Sequence, residues 1–320
     1  MAVIGNNAAG KALPNISFFG STSWTPAYDM QAYVYVIGGG GSGAVAGSSN
    51  NNRSSGGGAG GCAVSLLTLL SSVTYTITIG AGGAKVSTSG AVAGNAGNNS
   101  SFAGSNISTM TGNAGGAGVT SGDSTAAGGT GGSASGGNIS NNTGGAGGDV
   151  PSTNKAVSGG GAVGLWSTGN QANDGIAANS SIARGANIGW IKGTLDNSGE
   201  EYYSTNQGGP GVASVAPFND LLVNKVFNYY WGSSSTPYWY HNFKDPSGST
   251  SGQAFLVSGT YYYLQAATPF CGGDAMYYSS TIAAGGGTLG GGGGAANGNS
   301  TAQAGGGGNG GILIFPVEMG

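Results

Sequence analysis

Runs of glycine recur along the chain and constrain its fold more than any other feature. Glycine supplies 71 of the 320 residues. Each interior glycine costs a helix about 1 kcal/mol relative to alanine, which excludes an ordinary helical protein. Nine prolines without a strict Gly-X-Y period exclude collagen. The runs, some interrupted by one or two other residues, lie at 38–41, 56–61, 115–118, 128–132, 144–148, 159–161, 285–294 and 305–311.

Short apolar segments flank these runs and predict strands. Tyr33–Ile37 is aromatic and β-branched, and Val73–Ile79 alternates apolar residues with threonine, as a half-buried strand does. Ile312–Phe315 is continuously apolar, which indicates burial on both faces, and Pro316 predicts the end of that strand or an edge position. Ala63–Leu70 fits either a strand or a short helix.

A flexible linker does not need strands at both ends, so an ordered structure is expected for the glycine runs. Glycine readily adopts polyproline-II geometry, with three residues per turn and no internal hydrogen bonds. Several such helices side by side can pair their backbone N–H and C=O groups, as buried backbone requires. The predicted fold is therefore mostly β, with polyglycine-II-type helices packed in a bundle or sandwich and very little α-helix.

Charge is scarce, which excludes several classes of protein. Eight Lys and Arg and eleven Asp and Glu give a net charge of −3, and 38% of residues are hydrophobic. Scattered basic residues do not form the patch that nucleic-acid binding requires. Charge-driven disorder is excluded as well. The first residues do not resemble a secretory signal, and the apolar runs are shorter than the 18 residues expected of a membrane span.

Catalytic and metal-binding signals are weak. His241 is the only histidine, and Cys62 and Cys271 are the only cysteines, so neither a zinc site nor a catalytic triad is expected. The cysteines are interpreted as small buried thiols, with the question of one disulfide left open. Matches to G-x-G-x-x-G follow from the glycine content alone and predict no nucleotide cofactor. A glycosidase carboxylate pair remains a weaker alternative, drawn from Asp196, Glu200, Glu201, Asp220, Asp245 and Asp274.

Aromatic residues concentrate in one part of the chain and give the strongest functional signal. Eleven of the fifteen tyrosines lie between Glu200 and Ser280, separated by Ser, Gly, Asn and Pro. Tyrosine and tryptophan on such segments are typical of binding surfaces, because they offer a large rigid contact area at low entropic cost. Some of them must instead form the core of the segment. The predicted receptor contacts are Tyr229, Tyr230, Trp231, Tyr238, Trp239, Tyr240, His241, Tyr261, Tyr262 and Tyr263.

The order of these motifs resembles the glycine-rich domain of bacteriophage tail-fibre and minor tail proteins. That pattern has a Trp-Thr-Pro turn, an apolar strand, glycine blocks, a Tyr-Thr-Ile-Thr-Ile strand and a closing glycine run with a final strand. The composition is also similar to that of tail-fibre tip adhesins, which combine polyglycine-II helices with variable loops. The matching segments are Phe18–Ala27, Tyr33–Gly43, Gly56–Cys62, Thr74–Gly83 and Gly305–Ile314.

The resemblance implies a virion protein of the tail or fibre, made in the host cytoplasm. We expect a receptor-binding adhesin that attaches to the host surface without catalysis. Its expected partners are an outer-membrane protein or surface polysaccharide and other tail or fibre proteins. The chain is expected to be a homotrimer or a monomer docked on a trimeric fibre. A purely structural fibre, tail or capsid-decoration subunit is the main alternative, and a surface polysaccharide depolymerase is a weaker one.

Four parts of the chain follow from this interpretation. Residues 1–32 are predicted to be an attachment segment with the first strand region, and residues 33–186 the glycine-rich domain. Residues 187–282, the aromatic segment, are predicted to be inserted aromatic-rich loops that bind the receptor. Residues 283–320 return to the glycine-rich domain and end in its last strand.

Overall fold

Strands and extended segments dominate the computed structural model of the chain. The described residues form strands and contain no helix, which confirms the mostly-β prediction. These strands do not establish a bundle of polyglycine-II helices, which stays a prediction. The structure describes residues 15–47, 53–122, 125–150, 156–158, 160–165, 167–169, 171–172, 176–177, 182–183, 192–195, 201–204, 229–233, 236–240, 254–257, 260–263, 270, 272–273, 275–278, 282–284, 286–287, 289–298 and 302–317.

The strands are numbered here in chain order. They are β1 (Ile16–Phe18), β2 (Thr22–Trp24), β3 (Met30–Ile37), β4 (Val45–Ala46), β5 (Arg53–Ser54), β6 (Cys62–Leu69), β7 (Tyr75–Thr78), β8 (Ser87–Thr88), β9 (Ser100–Gly104), β10 (Ile107–Gly112), β11 (Thr120–Ser121), β12 (Ala134–Ser135), β13 (Ser140–Asn142), β14 (Ala156–Val157), β15 (Ile176–Ala177), β16 (Ile182–Ala183), β17 (Lys192–Leu195), β18 (Glu201–Ser204), β19 (Tyr229–Ser233), β20 (Thr236–Tyr240), β21 (Ala254–Val257), β22 (Thr260–Tyr263), β23 (Ala275–Tyr278), β24 (Ile282–Ala283), β25 (Ala296–Gly298), β26 (Ala302–Gln303) and β27 (Gly311–Val317).

Two antiparallel five-stranded sheets enclose the main core. The first has the order β1-β27-β3-β6-β13, and the second has the order β12-β10-β9-β7-β2. Strand β27 thus lies between two strands from the start of the described chain, with Ile314 opposite Ile16 on one side and opposite Val34 on the other. Strand β6 resolves the ambiguous segment as a strand, paired with β3 along its full length. The closing strand therefore completes a sheet begun near the other end of the sequence.

The core between these sheets follows the predicted alternation. In β7, Tyr75 and Ile77 are buried while Thr76 and Thr78 are exposed. The ring of Tyr75 stacks on that of Phe102, with centroids 5.1 Å apart. The first sheet contributes Met30, Ala32, Val34, Val36, Ala63, Leu69, Ile312 and Ile314, and the second contributes Tyr75, Ile77, Phe102 and Met110.

Pro316 lies within a strand rather than after it. It is opposite Ala32 of β3, and β27 continues to Val317. On its other side, β27 pairs with β1 over Ile312–Ile314. A proline lacks the backbone N–H that a ladder needs, so it is tolerated where a strand has an edge. The edge alternative of the sequence prediction is therefore the correct one.

Beyond β3 the chain enters a network of backbone hydrogen bonds between glycine runs. Within residues 38–45, every third N–H donates to the same neighbouring segment. One set reaches residues 55–61, a second reaches 92–98 and a third reaches 305–308. The donors and acceptors are Gly38, Gly41 and Ala44 to Gly61, Gly58 and Ser55; Gly39, Ser42 and Val45 to Asn98, Asn95 and Val92; and Gly40 and Gly43 to Gly308 and Gly305, at 2.8–3.1 Å.

The carbonyls of the same segment accept from other runs. Those of Gly39 and Ser42 accept from Gly115 and Gly118, and that of Gly40 accepts from Gly83. Those of Gly41 and Ala44 accept from Gly293 and Ala296. We call residues 38–45, 53–61, 80–83, 92–98, 115–118, 290–296 and 305–308 the glycine frame. Its residues contact one another through backbone atoms, which leaves little space for side chains.

A second cluster lies on the other face of the first sheet. Its buried members are Ile37, Ala59, Cys62, Val64, Val163, Leu165, Phe270 and Leu313, with Tyr35, Leu289 and Phe315 packed against them. The rings of Tyr35 and Phe315 meet edge to face, with centroids 5.6 Å apart. This second cluster joins the first sheet to Val163 and Leu165, which precede the predicted aromatic segment, and to Phe270, which lies within it.

Candidate functional site

Nine of the ten predicted contact residues lie on two hairpins. In the first, β19 and β20 are antiparallel and joined by two residues, since Ser233 is opposite Thr236. In the second, β21 and β22 are joined in the same way, with Val257 opposite Thr260. His241 lies outside the described residues. The register pairs Tyr229 with Tyr240, Tyr230 with Trp239, Trp231 with Tyr238, Leu256 with Tyr261, Phe255 with Tyr262, and Ala254 with Tyr263.

The register of the first hairpin separates its aromatic residues into two sets. Residues directly opposite in an antiparallel pair share a face, and successive residues alternate between faces. Tyr230 and Trp239 therefore belong to one face, together with Gly232 and Pro237. The opposite face carries four aromatic positions in two cross-strand pairs, namely Tyr229 with Tyr240 and Trp231 with Tyr238, followed by Ser233 with Thr236.

The second cluster contains residues from both sides of the two aromatic hairpins. Val163 and Leu165 precede the segment, Phe270 follows its last hairpin, and all three are buried together. The Val163 N–H donates to the Phe270 carbonyl at 2.8 Å. These contacts fix two positions about a hundred residues apart in sequence against the same face of the first sheet.

Two anchoring residues adopt a backbone geometry that sequence reasoning did not predict. Phe270 has a φ of 68° and Leu289 a φ of 44°, both in the left-handed region. A bulky residue there costs about 1–3 kcal/mol and persists only where its surroundings hold it. Both side chains pack in the second cluster. The only sequence signal is the glycine that lies close after each of them, at 272 and 290.

The surroundings of Asp29 and Cys62 shift the pKa of each group. The backbone N–H and hydroxyl of Ser71 donate to Asp29 Oδ1 at 2.7 and 2.8 Å. These bonds hold the pKa of the Asp29 carboxyl below its ordinary value of 3.8. The Cys62 thiol is free and buried, and desolvation raises its pKa, so it stays protonated.

The remaining chemical candidates gain no support from the described part of the chain. Glu201 occupies a backbone position in β18, opposite Leu195. The other five carboxylates considered for glycoside hydrolysis, and Cys271, lie outside the described residues. Among the residues that are described, none of the His, Cys, Asp and Glu side chains gather in threes as a metal site requires. The described residues also include no helix long and apolar enough to cross a membrane.

The comparison with protein families agrees with the glycine-rich architecture. Residues 16–318 match a family model described as a glycine-rich domain. The chain therefore belongs to this glycine-rich domain family. A comparison with curated proteins found no match.

Proposed function

We propose that the glycine frame is a bundle of polyglycine-II helices that displays the aromatic segment, and that the chain is a receptor-binding adhesin of a bacteriophage tail-fibre tip. In this proposal the protein attaches the virion to the host surface without catalysis. The proposal has two parts, the nature of the frame and the role of the segment, and each rests on a different observation.

The hydrogen bonds of residues 38–45 support the first part. Donors three residues apart reach the same neighbour, which matches the three residues per turn of polyglycine-II geometry. The approach is also too close for side chains. An added Cβ at Gly41 would lie 1.9 Å from the Gly116 carbonyl oxygen, and one at Gly40 would lie 2.1 Å from that of Gly291. Glycine is then required at these two positions, because the neighbouring backbones leave no space for a Cβ there.

The packing of residues in the second cluster supports the second part of the proposal, which is the role of the aromatic segment in display. Val163 and Leu165 precede the two aromatic hairpins and Phe270 follows them, and all three residues are buried against one face of the first sheet. A frame held by backbone hydrogen bonds does not depend on the side chains of a segment inserted between two fixed points. Binding residues commonly lie on segments that a rigid scaffold positions. The frame therefore suits the display of a sequence selected for recognition.

The proposed contacts are the aromatic residues of the two hairpins, together with His241. Within 226–243 and 246–273 there is no Asp, Glu, Lys or Arg. Recognition then depends on aromatic area and on hydrogen bonds from Ser, Asn and Gln, a mixture found in adaptable binding surfaces. Other tail or fibre proteins, or further copies of the chain, would hold the adhesin on the virion.

Binding to bacterial cells tests the proposal. The purified protein is labelled and incubated with a panel of candidate host strains, beside a variant carrying Trp239→Ala, Tyr240→Ala and Tyr262→Ala. A Tyr28→Ala variant is the matched control, because Tyr28 is 46% exposed but lies on the loop between β2 and β3. Circular dichroism checks that both variants keep the wild-type fold.

We expect the wild type and the Tyr28→Ala control to bind one strain, and the triple variant to lose that binding. If the triple variant binds as strongly as the wild type, the receptor-binding site does not lie on the hairpins. If the wild-type protein binds no strain but assembles with other virion proteins, a purely structural role would be favoured instead.

A further inference from the structure

We infer that the ligand of the first hairpin is an uncharged glycan chain, which lies across the face formed by Tyr229, Trp231, Tyr238 and Tyr240. This inference rests on the proposed adhesive function and specifies its ligand. It depends on the register of β19 and β20 and on the charge pattern of the sequence around them.

The register sets the size and shape of this face. Opposite positions in an antiparallel pair are about 4.5–5.5 Å apart. Positions two apart along a strand are separated by about 6.5–7 Å. The four aromatic positions thus occupy a patch of roughly two sugar rings, bounded toward the turn by the hydroxyl residues Ser233 and Thr236. Aromatic rings pack on the C–H faces of sugars, and hydroxyls bond to the sugar hydroxyls at the edge.

The opposite face of the hairpin is less suited to a ligand of this kind. It carries one aromatic pair, Tyr230 with Trp239, next to Gly232 with Pro237. An isolated two-stranded hairpin is marginally stable in water, so one face is expected to pack against other parts of the protein. Strand β21 of the second hairpin lies beside β19. We assign the ligand to the face with four aromatic positions, because it offers the larger aromatic area.

The absence of charge selects a neutral ligand. The nearest charged residues in sequence are Lys225 and Lys244, so the hairpin itself carries none. An acidic polysaccharide would call for Lys or Arg, which pair with carboxylates and phosphates. A folded protein receptor would usually meet complementary charges that steer its approach. An uncharged polymer of hexoses needs neither, and its binding depends little on salt.

The test separates glycan from protein on the cells that the wild type binds. One batch of cells is oxidised with periodate, which cleaves sugar diols, and another is stripped with protease. The deproteinised surface polysaccharide is also divided by anion exchange into neutral and acidic fractions. Each fraction is titrated against the protein by calorimetry, at about 0.05 and 0.5 M salt.

We expect binding to be lost after periodate and kept after protease, with affinity for the neutral fraction that changes less than about twofold with salt. A Trp231→Ala, Tyr238→Ala variant should lose about tenfold or more in affinity. The Trp231→Phe, Tyr238→Phe variant should recover most of it, because the flat rings remain. Tyr28→Ala should bind as the wild type does.

Three results would overturn the inference. Binding that resists periodate but not protease, or binding of the acidic fraction alone, would leave adhesion in place and exclude a neutral glycan. Full affinity in the Trp231→Ala, Tyr238→Ala variant, with its fold intact, would exclude this face. A wild type that binds neither cells nor any polysaccharide fraction would overturn the proposed function itself.

Discussion

Replacement of Gly41 by alanine tests the packing of the glycine frame most directly. The new Cβ would lie 1.9 Å from the oxygen and 2.5 Å from the carbon of the Gly116 carbonyl, whereas real Cβ contacts stay beyond 3.0 Å. One backbone must therefore move by about 1 Å, which disturbs the bonds from Gly41 to Gly58 and from Gly293 to Gly41. Each weakened hydrogen bond costs about 1 kcal/mol. Overpacking adds about 1–3 kcal/mol, so we expect a loss of about 3–5 kcal/mol.

The matched control is Gly20→Ala. No heavy atom lies within 4 Å of a Cβ at Gly20, and its φ is not in the left-handed region. This change should leave the unfolding free energy within about 0.5 kcal/mol of wild type. A small gain would come from the lower entropy of the unfolded chain. Urea unfolding followed by circular dichroism measures both variants, and equal stabilities for Gly41→Ala and Gly20→Ala would refute the close packing of the frame.

Three further predictions concern single side chains. Tyr75→Phe should lower the unfolding free energy by about 1–3 kcal/mol in urea titrations, because the buried hydroxyl accepts the Leu70 N–H at 2.9 Å. Asp29→Asn should be less stable than wild type at neutral pH. Because the folded-state pKa of Asp29 is lowered, its contribution is present above 3.8 and lost as pH falls through the folded value, so the two stability curves should converge in acid. In a variant that lacks Cys271, the Cys62 thiol should resist iodoacetamide in the native protein and react once urea unfolds it. Rapid labelling of the native protein would contradict the burial of this thiol.

The strands that build the main core were predictable because their signals are local. The Val-Thr-Tyr-Thr-Ile pattern before Gly80 fixes which residues of β7 face the core. The apolar runs of β3 and β27 likewise predict burial, and both strands are mostly buried. Periodicity decides such cases because a strand presents alternate residues to each face.

The arrangement of the glycine runs could not be predicted in the same way. Glycine has no side chain to distinguish one run from another, so the sequence contains no pattern that pairs Gly40 with Gly308.

The burial of Arg53 could not be predicted from the sequence either. It lies in a polar segment and is only 2% exposed, with a guanidinium nitrogen donating to the Gly122 carbonyl. Charged residues are rarely buried this far, and a buried guanidinium needs hydrogen-bond acceptors such as the Gly122 carbonyl, which lies 69 residues away in sequence.

The candidate site also has features that local sequence predicts and features that depend on long-range packing. The aromatic clusters were evident from composition, whereas the structure shows that they lie on two hairpins with short Ser-Ser and Ser-Gly connections. The anchor at Phe270 depends on long-range packing against Val163 and on a left-handed backbone, which no local pattern indicates. Sequence reasoning therefore located the aromatic clusters, but not the two hairpins that carry them or the packing at Phe270.

The position of β27 between β1 and β3 has a consequence for biosynthesis. Strand β1 has no sheet partner, and β3 is paired on one side only, by β6, until residues 311–317 are made, roughly 300 residues after β1. At about 5–20 residues per second, that interval lasts about 15–60 s. Throughout it, apolar strands with open edges are at risk of pairing with other chains. The glycine frame also needs residues 305–308, which accept hydrogen bonds from Gly40 and Gly43, so a chain that stops before them can complete neither the first sheet nor the frame.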